Sequence, residues 1–205
     1  MLDLWEAIKT RRSIRKLTGE LSFSSLLKPL EAARWAPSAH NAQPWRFLLI
    51  LDPQVKRSLA EAMAEAWVKD LIADGVEKEA AEKAAYRSVR MIVSSPVAIV
   101  VCLTMEDMQK YPDERRRRAE YLMAVQSVAA AAQNLLLALH AEGLGACWLC
   151  APLFCQEAVR GALGIPSDVE PQALVIVGRP AESPLPPPRR QLNEVLFINR
   201  WGVKP

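Results

Sequence analysis

The residues best suited to chemistry begin with a cationic cluster near the start of the chain. Three arginines and a serine fall within five positions: Arg11, Arg12, Ser13 and Arg15. Arginine carries a planar, permanently charged group that suits phosphate, and a serine hydroxyl adds a neutral donor. A second pair, Arg189 and Arg190, follows a run of three prolines near the end of the chain. The two clusters could close on one phosphate, or they could form a solvated basic face.

A polar loop at positions 37–44 is the second candidate. It lies between Trp35 and Trp45 and offers hydroxyl and amide groups from Ser38, Asn41 and Gln43. Groups of this kind can pair with both the donors and the acceptors along one edge of a flavin ring. A simple turn capped by Asn41 explains the same residues without a ligand.

Two glycines near the middle of the chain resemble a nucleotide-binding motif. Gly143–Trp148 begins as a dinucleotide fingerprint does, but Trp148 stands where the third glycine belongs. A helix, rather than a strand, is predicted to precede it, so a doubly wound nicotinamide fold is not expected. Gly145 is instead expected to allow a close approach of the backbone to a neighbour.

Metal, disulfide and nucleophilic chemistry find little support. Cys147 and Cys150 would lie on opposite faces of a predicted strand, and no second pair completes a zinc set. Ser38 and His40 are only two residues apart on one loop, which is not the geometry of a catalytic triad. We therefore expect no metal, no disulfide and no catalytic acid or base.

Composition and charge exclude further classes. The net charge of +3 is too small to indicate nucleic-acid binding, and the run Arg115–Arg118, which has acidic neighbours, is expected to be a solvated loop or the start of a helix. No apolar run reaches the length of a membrane span, and the N-terminus lacks the order of a signal peptide. We expect a cytoplasmic protein with neither a nucleic-acid nor a membrane partner. A length of 205 residues fits one domain, 1–205.

Hydrophobic periodicity predicts elements that would position these groups. Helices are expected at about 4–11, from Ser24 or Ser25 to before Pro37, and at 53–70, 77–93, 119–142 and 156–163, with strands at 45–51, 96–103, 146–150 and 172–177. The strand at 96–103 is apolar throughout, as expected of a strand covered on both faces. The long helix is apolar nearly all round, so it lies in a core or an interface. The prediction is an α+β fold, a mixed sheet flanked by helices, with an extended C-terminal arm at about 180–205.

Taken together, these features resemble the nitroreductase family of flavoenzymes. The resemblance rests on four stretches whose order and spacing span nearly the whole chain: Arg11–Arg15, Ala36–Trp45, Gly143–Trp148 and Pro188–Leu192. It implies an intertwined homodimer that holds FMN at two interface sites. It also implies an NAD(P)H-dependent oxidoreductase whose flavin N5 carries hydride to a small acceptor, such as a nitroaromatic or a quinone, in a ping-pong reaction.

The resemblance also assigns site residues. The family's phosphate and ribityl contacts match Arg11, Arg12, Ser13 and Arg15, and its second cationic contact matches Arg189 or Arg190. The loop that reaches the flavin from the partner subunit matches Pro37, Ser38, Ala39, Asn41 and Gln43. The segment beside N5 matches Trp148, Leu149, Cys150 and Ala151, and Arg87 or Arg90 matches the basic group near N1 and O2.

One departure from the family pattern leaves the acceptor open. Some members have a Glu-Gly pair where this chain has Cys150 and Ala151, so any contact to N5 there must come from backbone. Related flavin chemistry of a flavin-fragmenting, dehalogenating or deazaflavin-maturation type stays an alternative, as does a flavin-binding protein without turnover. The choice between NADH and NADPH also stays open.

Overall fold

The central sheet is built from the most apolar stretches of the chain. The computed structural model describes residues 2–205. Its strands are β1 (Leu17–Thr18), β2 (Trp45–Ile50), β3 (Val97–Thr104), β4 (Gly145–Leu149) and β5 (Val169–Pro180). β3 is buried along its whole length, and β5 is buried over 171–178. The sheet runs in the order β2-β3-β5, and both β1 and β4 also pair with β5.

Every ladder between these strands is antiparallel, which differs from the mixed sheet expected above. The parallel component is a single bridge between Ser13 and Ala146. Burial of a strand on both faces is typical of parallel sheets, which are covered on both sides. Here helices cover both faces of an antiparallel sheet, so two-sided burial does not decide strand direction. The α+β class itself is confirmed.

Seven helices surround the sheet within the part of the chain that the structure describes. They are α1 (Leu4–Thr10), α2 (Phe23–Arg34), α3 (Pro53–Ala73), α4 (Lys78–Ser94), α5 (Glu114–Ala141), α6 (Gln156–Leu163) and α7 (Leu192–Val195). Side-chain oxygens of Asp3, Ser22, Asp52 and Asp113 accept backbone N–H bonds at four helix starts. Such caps satisfy donors that have no partner within the helix.

Alternate residues of β3 belong to two separate cores. Val97, Ile99, Val101 and Leu103 pack with α2 and α5 on one face of the sheet. The side chains at 98, 100 and 102 pack with α3, α4 and α6 on the other. The period of two along a strand therefore places two helical layers around one sheet.

The long helix α5 begins earlier than its apolar pattern predicts. It starts at Glu114, because Asp113 caps it, and its first turns contain the charged run 115–118. Those turns are exposed, and the following apolar turns lie in the core beside α2 and the sheet. α5 is long and apolar enough to cross a membrane by length and composition. Its packing identifies it as a core helix. Gly143, with φ of 76°, follows it in the left-handed region that favours glycine.

Two other boundaries differ from expectation. α2 begins at Phe23 after the cap Ser22, so Pro29 lies inside the helix rather than in its first turn. β5 extends from 169 to 180, well beyond the predicted 172–177. The residues after Pro180 first follow the backbone of Lys16, whose carbonyl accepts the Ala181 N–H at 3.0 Å. Beyond them, side chains such as Trp201 are exposed, and α7 is the one helix among residues 183–205.

Candidate functional site

The cation cluster lies where α1 ends and the chain joins the start of β4. The Ile14 N–H donates to the Ala146 carbonyl at 2.9 Å, which fixes residues 13–14 against that strand. Arg11 is half-buried, and burial lowers the pKa of its guanidinium, with further lowering from the charges of Arg12 and Arg189. The C-terminal Arg189 therefore reaches the N-terminal cluster. Like charges held together in this way favour an anion between them.

The arginines of the cluster have different partners. Arg12 Nη1 donates to the carbonyls of Lys9 at 2.7 Å and Arg11 at 2.8 Å, so this side chain caps the C-terminal end of α1. Arg15 keeps an exposed side chain, while its backbone N–H donates to Glu182 at 3.0 Å. Of the two C-terminal arginines, both exposed, Arg189 is the one whose charge acts on Arg11.

A cleft of about 720 Å³ opens beside the cluster, between α1, the end of α5 and residues 180–183. His140 lies on its wall, and burial lowers the pKa of this imidazole, assisted by Arg11 and Arg12. Thr10 Oγ1 donates its only hydrogen to the Glu6 carbonyl at 2.7 Å, so it accepts from His140 Nε2 at 2.8 Å. In this arrangement Nε2 of His140 carries a proton.

The polar loop at 38–43 has a constrained backbone. His40, Asn41 and Gln43 have φ values of 55°, 54° and 47°, a region that residues other than glycine rarely adopt. Ser38 Oγ accepts the Gln43 N–H at 3.1 Å, and Ser127 Oγ on α5 accepts the Ala39 N–H at 3.2 Å. Positive φ at such residues costs about 1 kcal/mol or more each, and it persists only where neighbours impose it.

A buried carboxylate supports the same loop. His40 Nε2 lies 3.3 Å from Glu120 Oε1, and the Glu120 side chain is only 3% exposed. The other oxygen, Glu120 Oε2, is buried with no hydrogen-bond partner among residues 2–205. A buried polar group is costly without partners, so the contact between Glu120 and His40 ties the loop to α5.

The loop lies against the first half of α5, and the cleft beside the cluster lies against its C-terminal end. The loop contacts this helix at Ser127, and the cleft beside the cluster contacts it at His140. Thirteen residues of α-helix rise about 20 Å. The predicted loop and cluster residues therefore contact different parts of α5.

The remaining predicted residues surround the end of β4 and lie on α4. Trp148 and Leu149 are half-buried on opposite faces of the sheet, and Cys150 and Ala151 are exposed. The indole N–H of Trp148 is buried and lacks a partner within 2–205. Arg87 and Arg90 are exposed on α4, with the Arg90 guanidinium 5.9 Å from the Tyr86 ring centre. This arrangement does not decide between the two arginines.

Gly145 and the cysteines have structural surroundings. A Cβ on Gly145 would lie 2.9 Å from Leu17 Cδ2, so the close approach expected there is to the chain's own β1. Burial raises the pKa of the Cys102 thiol to about 11 and also raises the pKa values of Cys147 and Cys155. All four cysteines are unpaired, and no group of three metal-ligating side chains occurs within 2–205.

Sequence reasoning missed a second cavity, of about 650 Å³, between α3, α4 and the short turn Ala151–Phe154. Its lining consists mainly of apolar side chains together with two carboxylates: Met63, Ala64, Trp67, Asp70, Leu71, Ala73, Asp74, Ser88, Ala151, Phe154 and Cys155. The signal available in the sequence was the Asp70/Asp74 pair, one helical turn apart and without a basic residue in that turn.

The sequence matches a known protein family over most of its length. The model of the nitroreductase family matches residues 8–179. The chain belongs to the nitroreductase family. The expected family and the expected oxidoreductase class are thereby confirmed.

Two relatives cover almost the whole chain. An NADH dehydrogenase from Thermus thermophilus is 32% identical, with 96% of each chain covered. The structure of a provisionally named nitroreductase from Desulfovibrio desulfuricans, in complex with FMN, is 28% identical with a TM-score of 0.73, covering 98% of this chain and 99% of that one.

A more distant structure shares the fold alone. It is the NADPH:FMN oxidoreductase from Vibrio harveyi complexed with NAD+, which is 20% identical with a TM-score of 0.72 and covers 96% of this chain and 77% of that one. The nitroreductase fold thus accommodates the α+β arrangement described above.

Proposed function

We propose that this nitroreductase-family protein is an FMN-dependent oxidoreductase. It takes hydride from NADH or NADPH and reduces a small acceptor, such as a nitroaromatic or a quinone. The observation that carries the proposal is the half-buried Arg11 beside the start of β4, where burial lowers the pKa of its guanidinium and the charges of Arg12 and Arg189 lower it further. The FMN complex of the Desulfovibrio relative and the NADH dehydrogenase name of the Thermus relative support it.

The side chains present fit a terminal phosphate. Arg11 and Arg189 supply permanent charge, Arg15 and Ser13 are exposed beside them, and Arg190 is the alternative cation. Arg12 would add positive potential rather than a direct bond, because its guanidinium already caps α1. FMN, when bound, supplies the hydride transfer.

We further propose that each site is shared by two copies of the chain. The loop residues Pro37, Ser38, Ala39, Asn41 and Gln43 would serve the site whose phosphate is held by the partner's cluster. The rise of about 20 Å along α5 between Ser127, which contacts the loop, and His140, which lines the cleft, supports this proposal. Exposed aromatic side chains at Trp5 and Trp35 give further reason to expect a partner.

In both histidines Nε2 already has a partner within the chain, and we assign neither of them a catalytic role. His140 Nε2 is hydrogen-bonded to Thr10, and His40 Nε2 lies against the Glu120 carboxylate.

The flavin ring would contact two further parts of the chain. The backbone of residues 148–151 (Trp148, Leu149, Cys150 and Ala151) would line the N5 side, and Arg87 or Arg90 would lie near N1 and O2. The proposal takes 1–205 as one domain, with an arm from about 180, in the cytoplasm.

The experiment combines two inactive variants in one dimer. Arg11→Ala/Ser13→Ala cripples the phosphate half, and Ser38→Ala/Asn41→Ala cripples the loop half. When the two are unfolded and refolded together, half the dimers are mixed, and each mixed dimer has one intact site of two. Activity should return to roughly a quarter of wild type for a symmetric two-fold dimer.

Controls make the result specific. Each variant refolded alone should stay inactive, and wild type should recover fully under the same conditions. A mixture that stays as inactive as its parents, while wild type recovers, rules out the shared site. Cofactor released by heat and identified as FAD, or a protein that takes up no FMN, overturns the cofactor instead.

A second assay separates related flavin chemistry. We expect NADH or NADPH to be oxidised in proportion to nitroarene or quinone reduced, with FMN recovered unchanged. Mass spectrometry that finds fragmented flavin, or halide released from a halogenated acceptor in place of nitro or quinone reduction, would select one of the alternative reactions. FMN binding without any nicotinamide oxidation would select the non-catalytic alternative.

A further inference from the structure

The cavity between α3, α4 and the Ala151–Phe154 turn has the size of a small-molecule site. Its volume of about 650 Å³ falls within the range of known ligand pockets. Two aromatic side chains, Trp67 and Phe154, stand at its rim with 42% and 82% of their surfaces exposed. Buried Met63 contributes a deeper apolar surface. Such walls suit a flat, one- or two-ring molecule.

The cavity carries two negative charges that the protein does not neutralise. Asp70 lies in the last turn of α3 and Asp74 is its C-terminal cap, with no basic residue in that turn. Within 2–205, no lysine or arginine forms an ion pair with either carboxylate. The adjacent Lys69 is paired with Glu65 at 2.8 Å.

The helix itself adds to this negative potential. The C-terminal end of a helix carries a partial negative charge, and acidic residues there are unfavourable. The field reaches the opposite wall: burial raises the pKa of the Cys155 thiol, and the Asp70 charge raises it further. Two carboxylates at a helix C-terminus are therefore arranged against stability, which makes them candidates for a ligand role.

The cavity also adjoins the segment assigned to the reactive side of the cofactor. Ala151 lines the cavity and ends the stretch 148–151 that is proposed to lie beside N5. A molecule held between Trp67 and Phe154 would contact that segment. The inference below rests in this respect on the proposed function.

We propose that this cavity selects the electron acceptor by charge, taking aromatic molecules with a positive group and disfavouring anionic ones. The cation would lie between Asp70 and Asp74, and its ring would pack on Trp67 and Phe154. A cation over an aromatic face gains further attraction. For a nitroarene the net reaction converts the nitro compound, NAD(P)H and one proton into the nitroso compound, NAD(P)+ and water.

The test uses two redox-inert probes of similar size and opposite charge, benzyltrimethylammonium and phenylacetate. Their binding to the FMN-loaded protein is measured by calorimetry, which needs no turnover. One carboxylate about 5 Å from a unit charge changes affinity about fourfold even in a water-like dielectric. With two carboxylates we expect the cation to bind at least about tenfold more tightly, and the preference to weaken with salt.

Matched variants locate the source of that preference. Asp70→Asn/Asp74→Asn should abolish it, since asparagine keeps the shape and removes the charge. Glu61→Gln/Glu65→Gln removes the same two charges from exposed positions of α3 outside the cavity and should keep it. Equal binding of both probes by wild type, binding of neither, or a preference that survives Asp70→Asn/Asp74→Asn overturns the proposal.

Turnover provides a second readout. The ratio of kcat/KM for 4-nitrobenzyltrimethylammonium over 4-nitrophenylacetate is compared between wild type and the double asparagine variant, so that intrinsic reactivity cancels. We expect the ratio to fall about tenfold or more in the variant, by the same Coulomb estimate. A protein that binds FMN but oxidises no NAD(P)H with a neutral quinone refutes the proposed oxidoreductase activity, whereas the calorimetric result still decides the charge preference.

Discussion

Two regions of the proposed site, the cluster at 11–15 and the loop at 38–43, differ in how their polar groups are used within the chain. The polar groups of the loop are used in contacts that fix its own conformation. Ser38 Oγ accepts the Gln43 N–H, and His40 lies against Glu120 on α5. In the cluster, Arg11 has charged neighbours of its own sign and no carboxylate in an ion pair with it within 2–205. One region is shaped in advance, and the other keeps charge available. A site divided in this way binds phosphate by charge and positions the rest of the cofactor by shape.

The largest effect should separate two adjacent arginines. Arg11→Ala removes the charge that faces Arg189, and charge-assisted bonds of about 1.5–3 kcal/mol correspond to roughly ten- to a hundredfold weaker FMN binding. Arg12→Ala should change FMN affinity far less and lower the free energy of unfolding instead, because Arg12 caps α1. Fluorescence titration of FMN and urea unfolding measure the two effects. Equal losses of affinity in both variants would remove the distinction between a free cation and a helix cap.

A smaller effect is expected from the loop. Ser38→Ala deletes the acceptor of the Gln43 N–H, and loss of one such bond costs about 1 kcal/mol, or about a fivefold loss of FMN affinity if the bond acts only through loop order. Ser94→Ala is the matched control, since its hydroxyl donates to Met91 at the exposed end of α4. If both serine variants bind FMN as wild type does, the loop is not held in advance by Ser38.

The free energy of unfolding should depend on pH through His140, which lies beside the cluster. Burial, Arg11 and Arg12 lower the pKa of His140 below its ordinary value of 6.5, so the unfolded chain binds a proton there more readily than the folded one. The contribution of His140 to stability is therefore complete above about pH 6.5 and is lost as the pH falls toward the folded pKa. Urea unfolding of the FMN-free protein between pH 5 and 8 measures this slope. His140→Gln should flatten it, and an unchanged slope would assign it to other groups.

Substitution of a cysteine should have the smallest effect on FMN affinity. Burial raises the pKa of Cys147 although Arg15 and Arg11 pull it down, so this thiol stays protonated beneath the cluster. We expect Cys147→Ala to change FMN affinity by less than about twofold. A thiol reagent at pH 8 should modify the exposed Cys150 first, and Cys150→Ala should abolish that fast phase. Rapid labelling of Cys147 in the folded protein would show that this thiol is accessible to solvent and would contradict the prediction.

The elements were more predictable than the site. Buried strands such as β3 and the core helix α5 follow from local pattern, because burial imposes period two or an apolar surface. The antiparallel direction of the sheet was not predictable from burial, since either pairing can be covered on both faces. The start of α5 at Glu114 was missed because its first turns are charged and exposed, and only the cap at Asp113 marks them.

The residues of the site were identified from motifs, and their partners were not. Nothing in the local sequence indicates that the guanidinium of Arg12, rather than that of its neighbour Arg11, donates to the last carbonyls of α1. The contact of Glu120 with His40 joins residues eighty positions apart. Asp70 and Asp74 were overlooked because exposed acidic residues at a helix end usually have no partner to find, and only the packing of α3 beside Ala151 makes them the wall of a cavity.

The role of α5 between the two regions has a consequence for the insertions and deletions that the family can accept. If α5 sets the spacing from Ser127 to His140, the number of residues between them fixes both their axial distance and the directions of their side chains around the helix axis. A single inserted residue between them would lengthen this part of the helix by about 1.5 Å and rotate every later side chain by about 100° around the axis. Nine of its side chains are buried at present, and the rotation would move the later ones out of the core. We therefore expect natural variation here to occur as substitutions, and length changes to be confined to the ends of the helix.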